Sequence, residues 1–380
     1  MRSAPGSAIV EQRILPASGL DDLLAALRQG GYRVLGPTVR ESAIVHREIG
    51  SAGDLARGWT DRQEAGSYRL ERDSRDLYFG HNVGPQSWKR ELYPPRLRLW
   101  QAERTADGFA IAEDTVEAPP VAFLGVRPCD LAAIAVQDRV LLEGPQADPD
   151  YRRRRERALL IVVNCGQAAA TCFCTSMGGG PRATAGYDLA LTELRDDRGH
   201  RFLAEAGSER GARLLHELPT EPASGDDAAA AERIAEATAG QMRRTMPADI
   251  AETLRGSYEH PRWQDVAERC LACTNCTLVC PTCFCVAVED TTDLSGDNAE
   301  RHRRWDSCFT AEHSYVHGGS VHASTASRYR QWMTHKLSTW FDQFGTSGCV
   351  GCGRCIAWCP AAIDITEEAA AITSAGERTC

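Results

Sequence analysis

Long apolar stretches are scarce in this chain. The longest clean run is about six residues, Ala158 to Val163, which is the length of a buried strand and far short of the roughly twenty residues of a membrane span. The opening residues, MRSAPGSAIVEQRILPASG, contain no continuous apolar segment and no twin-arginine pair. Neither type of export leader is expected, and the chain is expected in the cytoplasm. Excess positive charge is also missing. Lys and Arg number 43 against 52 Asp and Glu, a net charge of −9, so broad electrostatic attraction to nucleic acid or anionic membrane is not expected. The basic runs Arg152 to Arg155 and Arg301, Arg303, Arg304 read as solvated faces.

Several chemical signatures are absent as well. No G-x-G-x-x-G follows a strand, and there is no P-loop and no H-E-x-x-H. No C-x3-C-x2-C of the radical type occurs, and no C-x2-C pair has the surroundings of a nickel site. The chain is therefore expected to bind no flavin or nicotinamide itself and to carry no catalytic residue. His302, His313, His317, His322 and His335 read as surface or hydrogen-bonding residues rather than ligands.

Cysteine, by contrast, is abundant, with 16 in 380 residues. In a reducing compartment disulfides are rare, so this many thiols point to metal. The pattern C-x2-C-x2-C-x3-C-P occurs twice, as CLACTNCTLVCP at 270–281 and CVGCGRCIAWCP at 349–360. A 4Fe–4S cube needs four soft anionic ligands around one compact core, which thiolates supply. In the bacterial two-cluster pattern the fourth cysteine of each run serves the other cluster. Cys270, Cys273, Cys276 and Cys359 are thus expected to hold one cube, and Cys349, Cys352, Cys355 and Cys280 the other. Zinc is the competing metal, but four close cysteines before a proline, written twice, is a poor zinc pattern. The 281–348 insert, with TCFC and WDSCF, favours a two-lobed, mostly helical ferredoxin over the minimal hairpin form.

Three regions follow from composition. Residues 1–207 alternate helix and strand patterns, including VAFLGV, DLAAIAVQDRVLL and ALLIVVNC, and read as a mixed α/β (α+β) domain. YDLALTEL and RFLAEAG are expected to pair across the Asp196–Gly199 turn. Residues 208–260, rich in Ala and Glu, read as an exposed helical connector, and 261–380 as the mostly helical two-cluster domain. Cys129 and Cys165 each fall just past a strand end, where open α/β sheets build their sites. With Cys172 and Cys174 of TCFCTSMGGGP they are expected to form a third 4Fe–4S site, with Asp130 as a possible substitute for one thiol. Gly178, Gly179 and Gly180 would let backbone N–H groups approach that cluster, or make a tight turn. Cys283, Cys285 and Cys308 are expected to pack beside the two-cluster core rather than form an exchangeable site.

The combination of GVRPCDLAAI, DPDYRRRRE, VVNC, TCFCTSMGGGP with YDLALTEL, CLACTNCTLVCPTCFC, WDSCF and GCVGCGRC resembles the iron–sulfur β subunit of cytoplasmic sulfhydrogenase-type nickel–iron hydrogenases. One of the subunits of anaerobic sulfite reductase belongs to the same extended family. The resemblance covers about 120–360. It implies an electron-transfer subunit of a heterotetramer, relaying single electrons between the hydrogenase small and large subunits and an FAD-containing, NAD(P)H-reactive subunit. A sulfite reductase partner and a zinc-stapled scaffold are the alternatives.

Overall fold

The structure, a computed structural model, describes residues 11–113 and 118–376. Most of the segment on which the leader expectation rests, and Cys380, lie outside these residues. In chain order come β1 (Gln12–Pro16), β2 (Arg33–Arg40) and β3 (Ala43–Glu48), then a β4–β5 hairpin (Trp59–Glu64, Ser67–Arg72) and a β6–β7 hairpin (Arg96–Thr105, Gly108–Glu113). These are followed by β8 (Val121–Val126), β9 (Ala158–Val163), β10 (Leu189–Asp196), β11 (Gly199–Ala206) and β12 (Glu221–Pro222). Eight of them form one sheet in the order β12-β1-β11-β10-β9-β8-β2-β3. The pairs β2–β8, β8–β9 and β9–β10 are parallel, and β10–β11 is the expected hairpin, with Asp196 opposite Gly199.

Strand β9 is buried at every residue, as an unbroken aliphatic run must be in a parallel sheet covered on both faces. One face meets the helix Leu20–Gln29, whose Leu20, Leu23, Leu24 and Leu27 recur at helical spacing and pack with Leu124, Ile161 and Leu191. The other face carries Phe123, Leu160 and Val162, packed with Trp88, Leu131 and Tyr151. The helix Pro128–Leu142 starts directly after β8, with proline in its first turn, where a fixed φ and a missing N–H cost nothing. This sets Cys129 at the carboxyl edge of the sheet, and Cys165 lies just beyond β9.

The second half departs from the mostly helical expectation. Within the insert, β13 (Val286–Thr292) and β14 (Asn298–Trp305) pair, and β14 also pairs with β6, giving a sheet β13-β14-β6-β7. A hairpin from the first hundred or so residues thus completes a sheet inside the cysteine-rich half. A small β15–β16 ribbon (Tyr315–Val316, Gly319–Ser320) follows. The helical part packs around Trp263, Tyr329, Trp332, Met333, Ile356 and Ile365. Its long helix from Thr325 contains a π turn at His335–Thr339, a local widening common at functional sites. The segment expected to be an exposed connector is helical but also covers the sheet. Its helix Gly225–Gly240 packs Ala231 against Leu194 and Leu203 of β10 and β11.

The two halves dock through the second cysteine run. The Phe173 N–H donates to Gly351 O at 2.9 Å. A Cβ on Gly351 would stand 2.6 Å from Cys174 N and Cα, and one on Gly353 would stand 2.3 Å from Thr171 O. Both glycines have positive φ, 67° and 74°, so these positions demand glycine twice over.

Gly351→Ala should cost about 3 kcal/mol through strain and backbone clash, read as a drop of several degrees in apparent melting temperature. Gly240→Ala, where nothing lies within 4 Å of the added carbon, should stay within about 0.5 kcal/mol. His46, stacked 3.7 Å from Trp88, and His81 are pushed down to about 3, mainly by burial and then by Arg354 for His46 and Arg127 for His81. Their unfolded forms bind protons below about pH 6.5 while the folded forms do not. Stability should therefore be full above pH 6.5 and fall toward pH 3, by up to about 1.4 kcal/mol per pH unit for each histidine. Denaturation midpoints between about pH 7 and pH 5, in the wild type and in His81→Asn, check this.

Candidate metal centres

The two cysteine runs fold alike, as their repeat demands. In the first, Ala272 and Thr274 adopt positive φ, 49° and 70°, and the Ala272 N–H donates to Cys270 Sγ at 3.4 Å. In the second, Gly351 and Gly353 occupy the equivalent positions, and the Gly351 N–H donates to Cys349 Sγ at 3.5 Å. Each run then enters one helical turn, Asn275–Leu278 or Arg354–Ala357. The left-handed residues curl the chain around its own sulfurs and aim N–H groups at them.

Cys270, Cys273 and Cys276 line one cavity together with Cys359 from the other run, against Phe309, Tyr329 and Trp332. The Ile363 N–H donates to Cys359 Sγ at 3.3 Å. Cys359 of the second run thus stands beside the first run's three thiols. Cys349, Cys352, Cys355 and Cys280 form a second group, in which Cys355 faces the other three. Cys129, Cys165, Cys172 and Cys174 line a third cavity with Gly180. All four N-terminal thiols meet there, so Asp130 is not needed as a donor. Its carboxylate turns instead to Arg354, with contacts of 2.8 and 3.0 Å.

The three groups stand in a row. Cys352 of the middle group also lines the third cavity, and Cys355 of the middle group also lines the first. The ends of the row reach the surface. Cys273 is exposed beside Leu271, which is 68% exposed. At the far end, Cys129, Cys174 and Gly178 to Gly180 line a cleft shared with Phe341 and Cys349. Of these glycines only Gly178 has positive φ, 75°, where it ends the turn Cys174–Met177.

Charge inside this row is balanced by buried cations that no sequence motif announced. Lys336 Nζ donates to Gly348 O at 2.9 Å and Thr282 Oγ1 at 3.1 Å, and lies 3.5 Å from Cys280 Sγ. Burial lowers its pKa, but Cys280, Cys283, Cys349 and Cys355 outweigh that and hold it well above its usual value. Lys89 Nζ donates to the carbonyls of Cys280 and Cys283, each at 2.9 Å. Arg127 donates to Phe79 O at 2.8 Å and faces Cys165. Burial pushes the Cys174 and Cys349 thiols up to about 12 and raises Cys172, Cys276 and Cys355. Bare, these are protonated thiols, and a metal must displace the protons. Among the described residues no group of three or more His, Cys, Asp or Glu is placed to hold a single metal ion.

Of the leftover cysteines, Cys283 is buried beside Cys280 and Cys308 packs on the helical core. Cys285 O accepts from the Asp306 N–H at 2.9 Å. His302 bonds Glu300 at 2.9 Å and His335 bonds Gln343 at 2.9 Å, as hydrogen-bonding residues. Arg354→Met would strand the buried Asp130 carboxylate and should cost about 3–5 kcal/mol. Adding Asp130→Asn should recover part of it, as measured by thermal unfolding of both variants.

A 4Fe-4S dicluster domain model matches residues 269–363. Sulfhydrogenase 2 subunit beta of Pyrococcus furiosus is 34% identical over 244 residues, spanning 63% of this chain and 70% of that protein. No solved structure matches significantly. The match extends well beyond the cysteine runs, and the chain belongs to the family of the sulfhydrogenase beta subunits, iron–sulfur proteins of electron transfer.

Proposed function

We propose that this chain relays single electrons through three 4Fe–4S clusters, between a nickel–iron hydrogenase dimer and an FAD-containing subunit that reacts with NAD(P)H. The reading is carried by the middle thiol group. Its Cys352 and Cys355 each also line a neighbouring cavity, which supports three sites in series. Cys270, Cys273, Cys276 and Cys359 would hold one cluster, Cys349, Cys352, Cys355 and Cys280 the second, and Cys129, Cys165, Cys172 and Cys174 the third. When bound, such clusters supply one-electron carriers. The residues do the rest. Lys336 and Lys89 offset the negative charge of the middle sulfurs, and Tyr329, Trp332 and Phe309 keep water from the first. The exposed Cys273 edge and the cleft beside Cys129 and Cys174 give the row two ends for two partners. The Gly179 and Gly180 backbone at that cleft lies where its N–H groups can approach the sheet-edge sulfurs. Partner identity separates a hydrogenase from a sulfite reductase, and copurification reads it directly.

Protein purified without air should contain about twelve irons per chain, and Cys165→Ala about eight. Cys270→Ala and Cys349→Ala should each lose a cluster and stop NAD(P)H-linked electron flow while partner assembly is partly kept. Iron unchanged in Cys165→Ala would remove the third site. Stoichiometric zinc with little iron would replace the relay by a scaffold.

A further inference from the structure

Two side chains in the wall of the first cavity bury a polar atom that has no hydrogen-bond partner among the described residues. We propose that the Tyr329 hydroxyl and the Trp332 indole N–H donate hydrogen bonds to the sulfur of a cluster held by Cys270, Cys273, Cys276 and Cys359, and that they make this cluster easier to reduce. The inference rests on the relay reading, since it needs a cluster at that place.

The helix Thr325–Thr334 buries Tyr329, Trp332 and Met333. Residues three apart stand on one face of a helix, and the Tyr329 and Trp332 rings are neighbours, with centroids 5.4 Å apart. Both rings line the cavity that the four cysteines line, together with Cys355 of the middle group. Tyr329 is 2% exposed and Trp332 5%, and Phe309 packs against both, at 6.2 and 5.9 Å. Neither the Tyr329 hydroxyl oxygen nor Trp332 Nε1 reaches water.

A buried donor without an acceptor is destabilising and uncommon. Here two occur on one helix face, and both belong to rings that line a thiol-walled cavity. An indole N–H can only donate, and a phenol keeps its proton at neutral pH. Each therefore calls for an acceptor, and cluster sulfur is the acceptor that such a cavity would hold. Trp263 supplies the contrast. Its ring lies in the same core, 6.3 Å from Tyr329, but it is not part of the cavity lining. There Nε1 is already engaged, donating to Ser257 O at 2.7 Å. The Glu368 carboxylate also faces the Tyr329 ring, but Arg262 and Arg269 donate to it at 2.5 and 2.6 Å.

The same helical segment continues the pattern. One turn past Trp332, Lys336 Nζ lies 3.5 Å from Cys280 Sγ. Positions 329, 332 and 336 thus bring donors to two adjoining thiol groups, two neutral dipoles to the first and a full charge to the middle one. A reduced cluster carries one more negative charge than an oxidised one. A fixed donor therefore stabilises the reduced form more and raises the potential. The electron comes from the adjoining cluster of the relay, and no proton moves with it, because both donors keep theirs.

The test uses the full chain, purified without air and with its iron in place, in a reductive titration followed by electron paramagnetic resonance. The signal that Cys270→Ala removes belongs to the first cluster. In Tyr329→Phe and in Trp332→Phe, reduction of that cluster should become about tenfold less favourable, a fall of about 59 mV for one electron, with iron kept at the wild-type level. With clusters rebuilt in deuterated buffer, pulsed resonance on the first cluster should show coupled deuterons, and Tyr329→Phe should lose one of them. Trp263→Phe disturbs the same core but removes a donor already engaged, and should leave the potential near the wild-type value. An unchanged potential in either cavity variant, unchanged deuteron couplings, or an equal fall in Trp263→Phe overturns the proposal and leaves the relay reading standing. Absence of any signal that Cys270→Ala removes overturns the relay reading and this inference with it.

Discussion

The close approach of the second cysteine run to the loop at Thr171–Cys174 is the contact on which the rest of the structure depends. A parallel sheet presents loops at its carboxyl edge, and loops need covering if they are to hold anything dry. Here the cover is the backbone of Gly351 and Gly353, too close for any side chain. The Arg354 that follows reaches on into the first half, to Gly84 O at 3.0 Å, Gln86 O at 3.1 Å and Asp130. One short segment thus contributes thiols to the middle group, closes the cavity at the sheet edge and carries a buried ion pair across the junction. Separating the halves would open two thiol groups together.

The same contact explains why the repeat is imperfect. Both runs need left-handed backbone at the third and fifth positions, since that curl aims N–H groups at sulfur. The first run uses Ala272 and Thr274 there, accepting a cost of order 1 kcal/mol each. It can, because its outer face is open, with Leu271 68% exposed. The second run has no room for a Cβ, so glycine stands at both places. Identical ligand spacing and different intervening residues are the marks of two equivalent folds in unequal surroundings.

Much of this was legible in the sequence. The spacing of the runs carried their like backbone, because the curl of each run around its own sulfurs is local. The aliphatic runs 121–126 and 158–163 carried the parallel strands, and the position of Cys129 and Cys165 just past them placed those thiols on one edge. What was not legible is non-local. Strand β6 pairs with β14 across some two hundred residues, and neither strand's pattern names its partner, so the insert read as helical. The helix Gly225–Gly240 looks exposed by composition because alanine covers a sheet without looking apolar. Lys89 and Lys336 look like surface lysines, and only tertiary contacts bury them, Lys336 within the π turn at 335–339 and Lys89 against the Cys280 and Cys283 carbonyls.

Those two lysines make the thiol groups and the fold interdependent. A buried ammonium costs several kcal/mol unless an anion and hydrogen bonds compensate it. Carbonyls and Thr282 supply the hydrogen bonds, but the anions facing Lys336 are the sulfurs of Cys280, Cys283, Cys349 and Cys355. The same burial drives the Cys349 and Cys355 sulfurs toward the neutral thiol when no metal is present, whereas Cys280 is held well below its usual value, mainly by Cys283 and, against burial, by Lys336. Dry thiols and a dry lysine therefore each favour the uncharged state on their own. They favour the charged state only together, as Cys280 and Lys336 do. The cost of burying Lys336 in the middle of the row is the structural sign that the row is built to carry negative charge.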